Sequence, residues 1–147
     1  MKICSIDIQG SEAMLCLLSM DSGLFNVHDC RQIRIPLQHD NDAEKMRKFQ
    51  FTISKLLEDY QINNVVIRER LKKGKFAGSA VGFKIEAAIQ LIESANVEIL
   101  SSQEIKEQLK KNPLPIDARE AGLKKFQEAA FQTGYAWLNK KAFSKAD

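Results

Sequence analysis

The chain has few of the residues that build disulfides or zinc sites. Its 147 residues include three cysteines, two histidines and three prolines, and Cys4, Cys16 and Cys30 form no Cys-x-x-Cys pair. An odd, widely spaced set of cysteines argues against a disulfide framework and against a zinc site. Cys4 and Cys16 fall within apolar runs, so we expect small buried side chains there.

No strong excess of one charge is present either. The chain has 22 basic and 19 acidic residues and a net charge of +3, which neither requires nor excludes a polyanionic partner. The first apolar run contains Asp7, which argues against a signal peptide or a membrane span. We therefore expect one reduced, cytoplasmic domain over residues 1–139, without membrane contact, and a polar tail over residues 140–147.

The common nucleotide-binding and hydrolase motifs are missing. The sequence contains neither the Gly-x-x-x-x-Gly-Lys-Ser/Thr of a P-loop nor the Gly-x-Gly-x-x-Gly of a dinucleotide site. It also lacks the nucleophile elbow of a serine hydrolase. Functions that depend on these motifs are not supported, so other residues must carry the chemistry.

Hydrophobic periodicity predicts the element order β-β-β-α-β-α-β-α-α. Polar residues mark helix starts at Asn41-Asp42, Ser79 and Ser101-Ser102. The order predicts an α/β fold with a mixed five-stranded sheet, three antiparallel strands followed by parallel ones, flanked by helices. Strands are expected at residues 2–8, 13–20, 24–36 with a break around 26–30, 64–69 and 97–100, and the last helix at 117–139.

Two acidic residues stand at the ends of apolar strands. Asp7 ends the first run and Glu69 follows Val65-Val66-Ile67-Arg68. If the strands are neighbours, both carboxylates lie at one sheet edge, where a bridging Mg²⁺ would relieve their repulsion. The alternative stays open: Asp7 caps a turn and Glu69 pairs with a neighbouring cation.

A dense basic run follows the second of these acids. The segment from Arg68 to Lys75 holds five basic residues and precedes the helix that Ser79 begins. Helix N-termini favour phosphate, and lysines and arginines neutralise it. Arg70, Lys72, Lys73 and Lys75 are therefore candidate phosphate-binding residues, against the alternative of a solvated loop.

Three segments together resemble the RuvC-type Holliday-junction resolvases of the ribonuclease H-like superfamily. Ile6-Asp7-Ile8-Gln9-Gly10-Ser11 is similar to the first-strand signature, and Val65-Val66-Ile67-Arg68-Glu69 to the strand that ends in a metal-binding glutamate. Ser101-Ser102-Gln103-Glu104-Ile105-Lys106 resembles a later segment with a substrate-contacting lysine, which Lys106 matches. The chain looks like a separate bacterial branch of the superfamily rather than a resolvase proper.

The resemblance implies Mg²⁺- or Mn²⁺-dependent hydrolysis of a phosphodiester in DNA or RNA, branched substrates included, by a homodimer. Asp7 and Glu69 would be metal ligands and catalytic residues. Glu128 matches the second acid of the resolvases' final Asp-x-x-Asp, but Lys125 stands at the first position. Asp117 and Glu120 have the acidic spacing instead and also fit a helix cap. A catalytically incomplete nucleic-acid-binding module, or an oligomeric interaction module, of the same fold is the alternative.

Overall fold

The computed structural model describes residues 1–72 and 78–144 of the chain. The strands are β1 Lys2–Gln9, β2 Glu12–Asp21, β3 Leu24–His28, β4 Arg34–Pro36, β5 Asn64–Arg68 and β6 Asn96–Leu100. The helices are α1 Ala43–Asp59, α2 Ala80–Gln90, α3 Ser102–Lys111 and α4 Glu128–Ser144, with a 3₁₀ turn at Lys125–Gln127. No helix within the described ranges is long and apolar enough to cross a membrane.

The predicted mixed sheet is confirmed. Its strand order is β3-β2-β1-β5-β6, and β4 also pairs with β2. The pairs among β1 to β4 are antiparallel, whereas β5 is parallel to both β1 and β6. The sheet has six strands rather than five, because the chain leaves it after His28 and returns at Arg34, which divides the expected third strand in two.

Helices cover both faces of the sheet. Phe49 of α1 and Ile85 of α2 pack with Ile6 of β1 on one face, while Phe131 of α4 packs with Ile3 of β1 on the other. Successive strand side chains point to opposite faces. The central strand β1 is thus buried on both sides, which explains its nearly continuous apolar sequence.

The predicted N-caps of the first three helices are confirmed. The side chains of Asp42, Ser79 and Ser101 accept hydrogen bonds from backbone N–H groups in the first turns of α1, α2 and α3. These bonds satisfy donors that the helix itself leaves free. Each helix therefore begins where the polar residue precedes the apolar pattern.

The predicted limits of the last helix are wrong at both ends. Residues 118–122 form a turn, with Gly122 at φ +80°, and α4 begins only at Glu128. The helix then continues to Ser144, through residues expected to fray as a tail. Lys140 pairs with Glu104 at 3.0 Å and Lys141 with Glu98 at 3.1 Å, so ion pairs to α3 and β6 hold the final turns.

Helix α4 lies unusually close to the sheet at Gly134. A Cβ atom there would lie 2.3 Å from Cδ1 of Leu18 and 2.8 Å from Cβ of Ser5. The buried Ser5 hydroxyl also donates a hydrogen bond to the carbonyl of Ala130. Glycine is required because a larger side chain would separate α4 from β1 and β2.

Candidate nucleic-acid interface

The candidate site lies where the parallel strands end. Asp7 is near the end of β1 and Glu69 directly follows β5. The two strands are paired in parallel, so the two acids lie on neighbouring strands. The register pairs Ile6 with Ile67; continued by one residue, it sets Asp7 opposite Arg68. In β2 the paired residue of Asp7 is Met14, and on β5 Glu69 lies one position beyond Arg68.

Glu69 lies toward the α2 side of this edge. Its backbone N–H donates to the carbonyl of Leu100 at 2.9 Å, which continues the pairing with β6. Burial raises the pKa of Glu86 on α2, and the negative charge of Glu69 raises it further. The positive charges of Arg70 and Lys72 lower that pKa in part. Glu69 thus shares an electrostatic environment with α2 and the basic segment.

Asp7, in contrast, is connected to the start of α4. The Gln9 side-chain amide donates to Oδ2 of Asp7 at 2.9 Å and to the carbonyl of Phe126 at 3.0 Å. A single side chain therefore spans the distance between Asp7 and the turn that precedes Glu128. Gln9 was not among the residues predicted from the sequence, since its role depends on where residue 126 lies in space.

Two further contacts fix that turn. The guanidinium carbon of Arg34 lies 4.9 Å from the centre of the Phe126 ring, and Arg34 itself pairs with Glu12 at 2.9 Å. The buried Gln127 side chain donates to the carbonyl of Leu15 at 2.8 Å and accepts from Lys124 N–H at 2.9 Å. Lys125 and Glu128, both exposed, are thereby held at the same end of the molecule as Asp7.

The structure does not assemble the predicted acids into a three-ligand cluster. Within residues 1–72 and 78–144, no group of three or more His, Cys, Asp or Glu side chains could hold a metal ion. Asp117 and Glu120 cap one another's backbone N–H groups in a turn, at 2.7 and 3.4 Å. Asp7 and Glu69 are the predicted acids that remain at the ends of neighbouring strands. One or two carboxylates are the protein ligands with which Mg²⁺ commonly binds substrate phosphate.

Cations surround this edge. Lys72 after β5, Lys106 in the second turn of α3, and Lys124 and Lys125 before α4 are exposed. The predicted phosphate-binding residues Lys73 and Lys75 lie outside the described residues. Lys124 was not predicted from the sequence, because its place beside the start of α4 became known only from the structure.

The helix N-termini add positive potential at the same place. Helices α2 and α3 each follow a parallel strand, so both begin at the strands' carboxyl ends, and Gln9 connects β1 to the start of α4. Free N–H groups give such termini a partial positive charge. Acids occupy the first turns of α3 (Glu104) and α4 (Glu128), whereas the first turn of α2 has none, so α2 contributes most of the potential available to a ligand.

Arg70 is engaged inside the protein rather than extended into solvent. Its Nη1 donates to the carbonyl of Ile8, and its guanidinium carbon lies 5.9 Å from the centre of the Phe83 ring. Its Nε is buried and has no hydrogen-bond partner among the described residues. A phosphate contact by Arg70 stays a prediction, since these contacts engage much of the guanidinium.

Comparison with known proteins gives one family and a consistent fold. A family model described as "Protein of unknown function (DUF3010)" matches residues 1–137, and no curated protein matches the sequence. RuvC of Thermus thermophilus is 12% identical, with a TM-score of 0.75 over 98% of this chain and 97% of that one. The same protein in complex with its Holliday-junction substrate is 12% identical, with a TM-score of 0.71 over 97% of this chain and 95% of that one. The yeast mitochondrial Holliday-junction resolvase Ydc2 is 11% identical, with a TM-score of 0.56 over 95% of this chain and 80% of that one. The fold is therefore that of the ribonuclease H-like resolvases.

Proposed function

We propose that this chain, which belongs to the DUF3010 family, binds nucleic acid along the carboxyl edge of its sheet. The observation that carries the proposal is the convergence of exposed lysines and helix N-termini on the edge that holds Asp7. Lysines and helix N-termini both attract phosphate. The fold adds support, because a protein of the same fold was solved in complex with a Holliday junction.

Lys72 and Lys106 would contact the phosphate backbone, and Lys124 and Lys125 would extend the contact toward α4. Lys73 and Lys75, by their place in the sequence, would belong to the same surface. Such contacts are electrostatic and do not read base sequence. DNA or RNA of suitable shape, branched forms included, is therefore the expected partner.

Binding can be measured by fluorescence anisotropy with a labelled four-way junction, an RNA–DNA hybrid and a single strand over a range of salt concentrations. Lys106→Gln should weaken binding and lower the slope of log K against log salt by about 0.9 for each duplex phosphate that is no longer neutralised. Lys111→Gln is the matched control, since it removes an exposed lysine from the far end of the same helix. Equally weakened binding in both variants, or no binding by the wild type, would contradict the proposal.

A second candidate function is phosphodiester hydrolysis at the same edge. Asp7 and Glu69 on adjacent parallel strands favour it, with Glu128 as a third acid beyond the Gln9 bridge. Mg²⁺ or Mn²⁺, held by Asp7 and Glu69 with the substrate, would supply an activated water and stabilise charge on the phosphate. Lys125, where the resolvases have an acid, favours the binding function alone.

A nuclease assay separates the two functions. Labelled junction, hybrid and single-stranded substrates are incubated with Mg²⁺ or Mn²⁺ and the wild type, Asp7→Asn or Lys125→Asp. Cleavage that Asp7→Asn abolishes would establish the hydrolytic function. If the wild type binds without cutting, Lys125→Asp tests whether the missing acid is the reason.

The homodimer also belongs to the proposal. Phe51 of α1 and Leu91, just after α2, are 68% and 71% exposed and line one surface groove together with Arg47 and Glu93. A second copy related by a two-fold axis can set Arg47 of one protomer against Glu93 of the other while it covers both apolar side chains. Sedimentation of wild type and Phe51→Glu tests this, since only a dimer through this face would dissociate in the variant.

A further inference from the structure

Two glycines leave room for the buried part of Arg70. A Cβ atom on Gly78 would lie 2.5 Å from Nε of Arg70, and one on Gly82 would lie 2.6 Å from the same atom. Gly82 is buried in the first turn of α2. The guanidinium therefore occupies the space that side chains at residues 78 and 82 would need.

The other side of the guanidinium faces β1. Arg70 Nη1 donates to the carbonyl of Ile8, the residue after Asp7. Close by, the Ser79 hydroxyl donates to the carbonyl of Gly10 at 3.0 Å. The end of β1 is thus bonded to Arg70, within the basic run, and the β1–β2 turn to Ser79, after that run.

We infer that Arg70 is a positioning residue. Its guanidinium packs on Gly78 and Gly82 and fixes the end of β1, and with it Asp7, against the start of α2. This inference rests on the proposed function and reassigns Arg70 from phosphate contact to support. The bond to Ile8 and the glycine contacts occupy the guanidinium, whereas Lys72, two residues on, is exposed and can meet phosphate.

The glycine substitution provides the sharper test, because Gly82→Ala removes no charge. Its new methyl group would displace the guanidinium from Ile8, while alanine favours the helix more than glycine does. Gly82→Ala should therefore change the melting temperature little. It should weaken junction binding about tenfold, because an edge that is no longer held in place must be ordered when nucleic acid binds.

Arg70→Ala should weaken binding by the same factor, and the double variant Arg70→Ala/Gly82→Ala by no more than either single variant, since both remove the same hydrogen bond. In both single variants the slope of log K against log salt should match the wild type. Lys72→Ala is the control, and its slope should fall by about 0.9. A lower slope for Arg70→Ala, together with wild-type binding by Gly82→Ala, would make Arg70 a phosphate contact and overturn the inference.

Hydrogen exchange tests the inference without nucleic acid, so its failure can be told from failure of the proposed function. In the free protein, Arg70→Ala and Gly82→Ala should each accelerate amide exchange in a peptide that spans residues 8–12, whereas Lys72→Ala should not. If both variants exchange this turn at the wild-type rate, Arg70 does not position it, whatever the protein binds.

Discussion

Trp137 donates its indole N–H to Oε2 of Glu98 at 2.7 Å, which joins the last helix to the edge strand β6. Lys141 donates to the other carboxylate oxygen at 3.1 Å. Burial alone would raise the pKa of Glu98, but the hydrogen bonds from Trp137 and Lys141 lower it below its ordinary value of 4.5. The chain has a single tryptophan, so its fluorescence reports on this contact.

The first prediction concerns acid stability. Because the folded-state pKa of Glu98 is lowered, the stability it contributes is complete above its unfolded value and is lost as pH falls through the folded value. We expect Glu98→Gln to reduce the dependence of the unfolding free energy on pH below pH 4.5. Urea unfolding at a series of pH values, followed by Trp137 fluorescence, measures this dependence. Glu93→Gln is the control for a surface acid. The prediction is refuted if Glu98→Gln is as sensitive to acid as the wild type.

The second prediction concerns the contact between α4 and the sheet. Gly134→Ala should lower the free energy of unfolding by about 1–3 kcal/mol through overpacking against Leu18 and Ser5, reduced by up to about 1 kcal/mol of gained helix propensity. Denaturant unfolding measures the change. Leu18→Ala in the same chain should recover part of the Gly134→Ala loss, because it empties the space that the new methyl group needs. A more stable single variant would show that α4 lies farther from β2.

The third prediction concerns Gln127. Its buried side chain satisfies both Leu15 carbonyl and Lys124 N–H, and Gln127→Leu leaves both groups unpaired. The expected decrease in the free energy of unfolding is about 1–3 kcal/mol for a buried group left unsatisfied, measured by thermal or denaturant unfolding. Gln132→Leu, at a partly buried position in α4, is the comparison and should cost less.

The fourth prediction concerns the cysteines. Burial raises the pKa of Cys16 to about 12 and that of Cys4 well above its ordinary value. Burial also raises the pKa of Cys30, but Cys30 is only partly buried and a reagent can reach its thiol. At about pH 8, iodoacetamide should modify Cys30 first in the folded protein, and the other two only after unfolding. Intact-mass measurement counts the adducts, and Cys30→Ser should remove the first. Early modification of Cys4 or Cys16 would mean that β1 or β2 opens readily.

Local signals predicted most of the fold. Asp42, Ser79 and Ser101 located three helix starts because a capping bond involves residues only two or three apart. The start of α4 could not be found this way, since Asp117 and Glu120 form the same local cap within a turn. What decides the helix start is contact with distant strands, through Gln127 and Leu15.

The candidate site was predictable in its location and less so in its details. Asp7 and Glu69 were recognisable as acids after apolar strands, and the parallel pairing of β1 with β5 brings them to one edge. The role of Arg70 was not recognisable, because a basic residue in a basic run indicates a solvated side chain. Only the structure shows that its guanidinium packs against Gly78 and Gly82. The role of Gln9 was not recognisable either, since its partner Phe126 lies 117 residues away along the chain.

The hydrogen bond from Ser5 to Ala130 joins residues 125 positions apart, and this separation bears on how the protein is made. On the ribosome, β1 and β2 can pair as soon as they emerge, but the face they present to α4 stays uncovered until nearly the whole chain has been translated. Long-range contacts of this kind slow folding, and uncovered apolar strands promote aggregation. The nascent protein therefore has the greatest need of a chaperone while the chain between β2 and α4 is being synthesised.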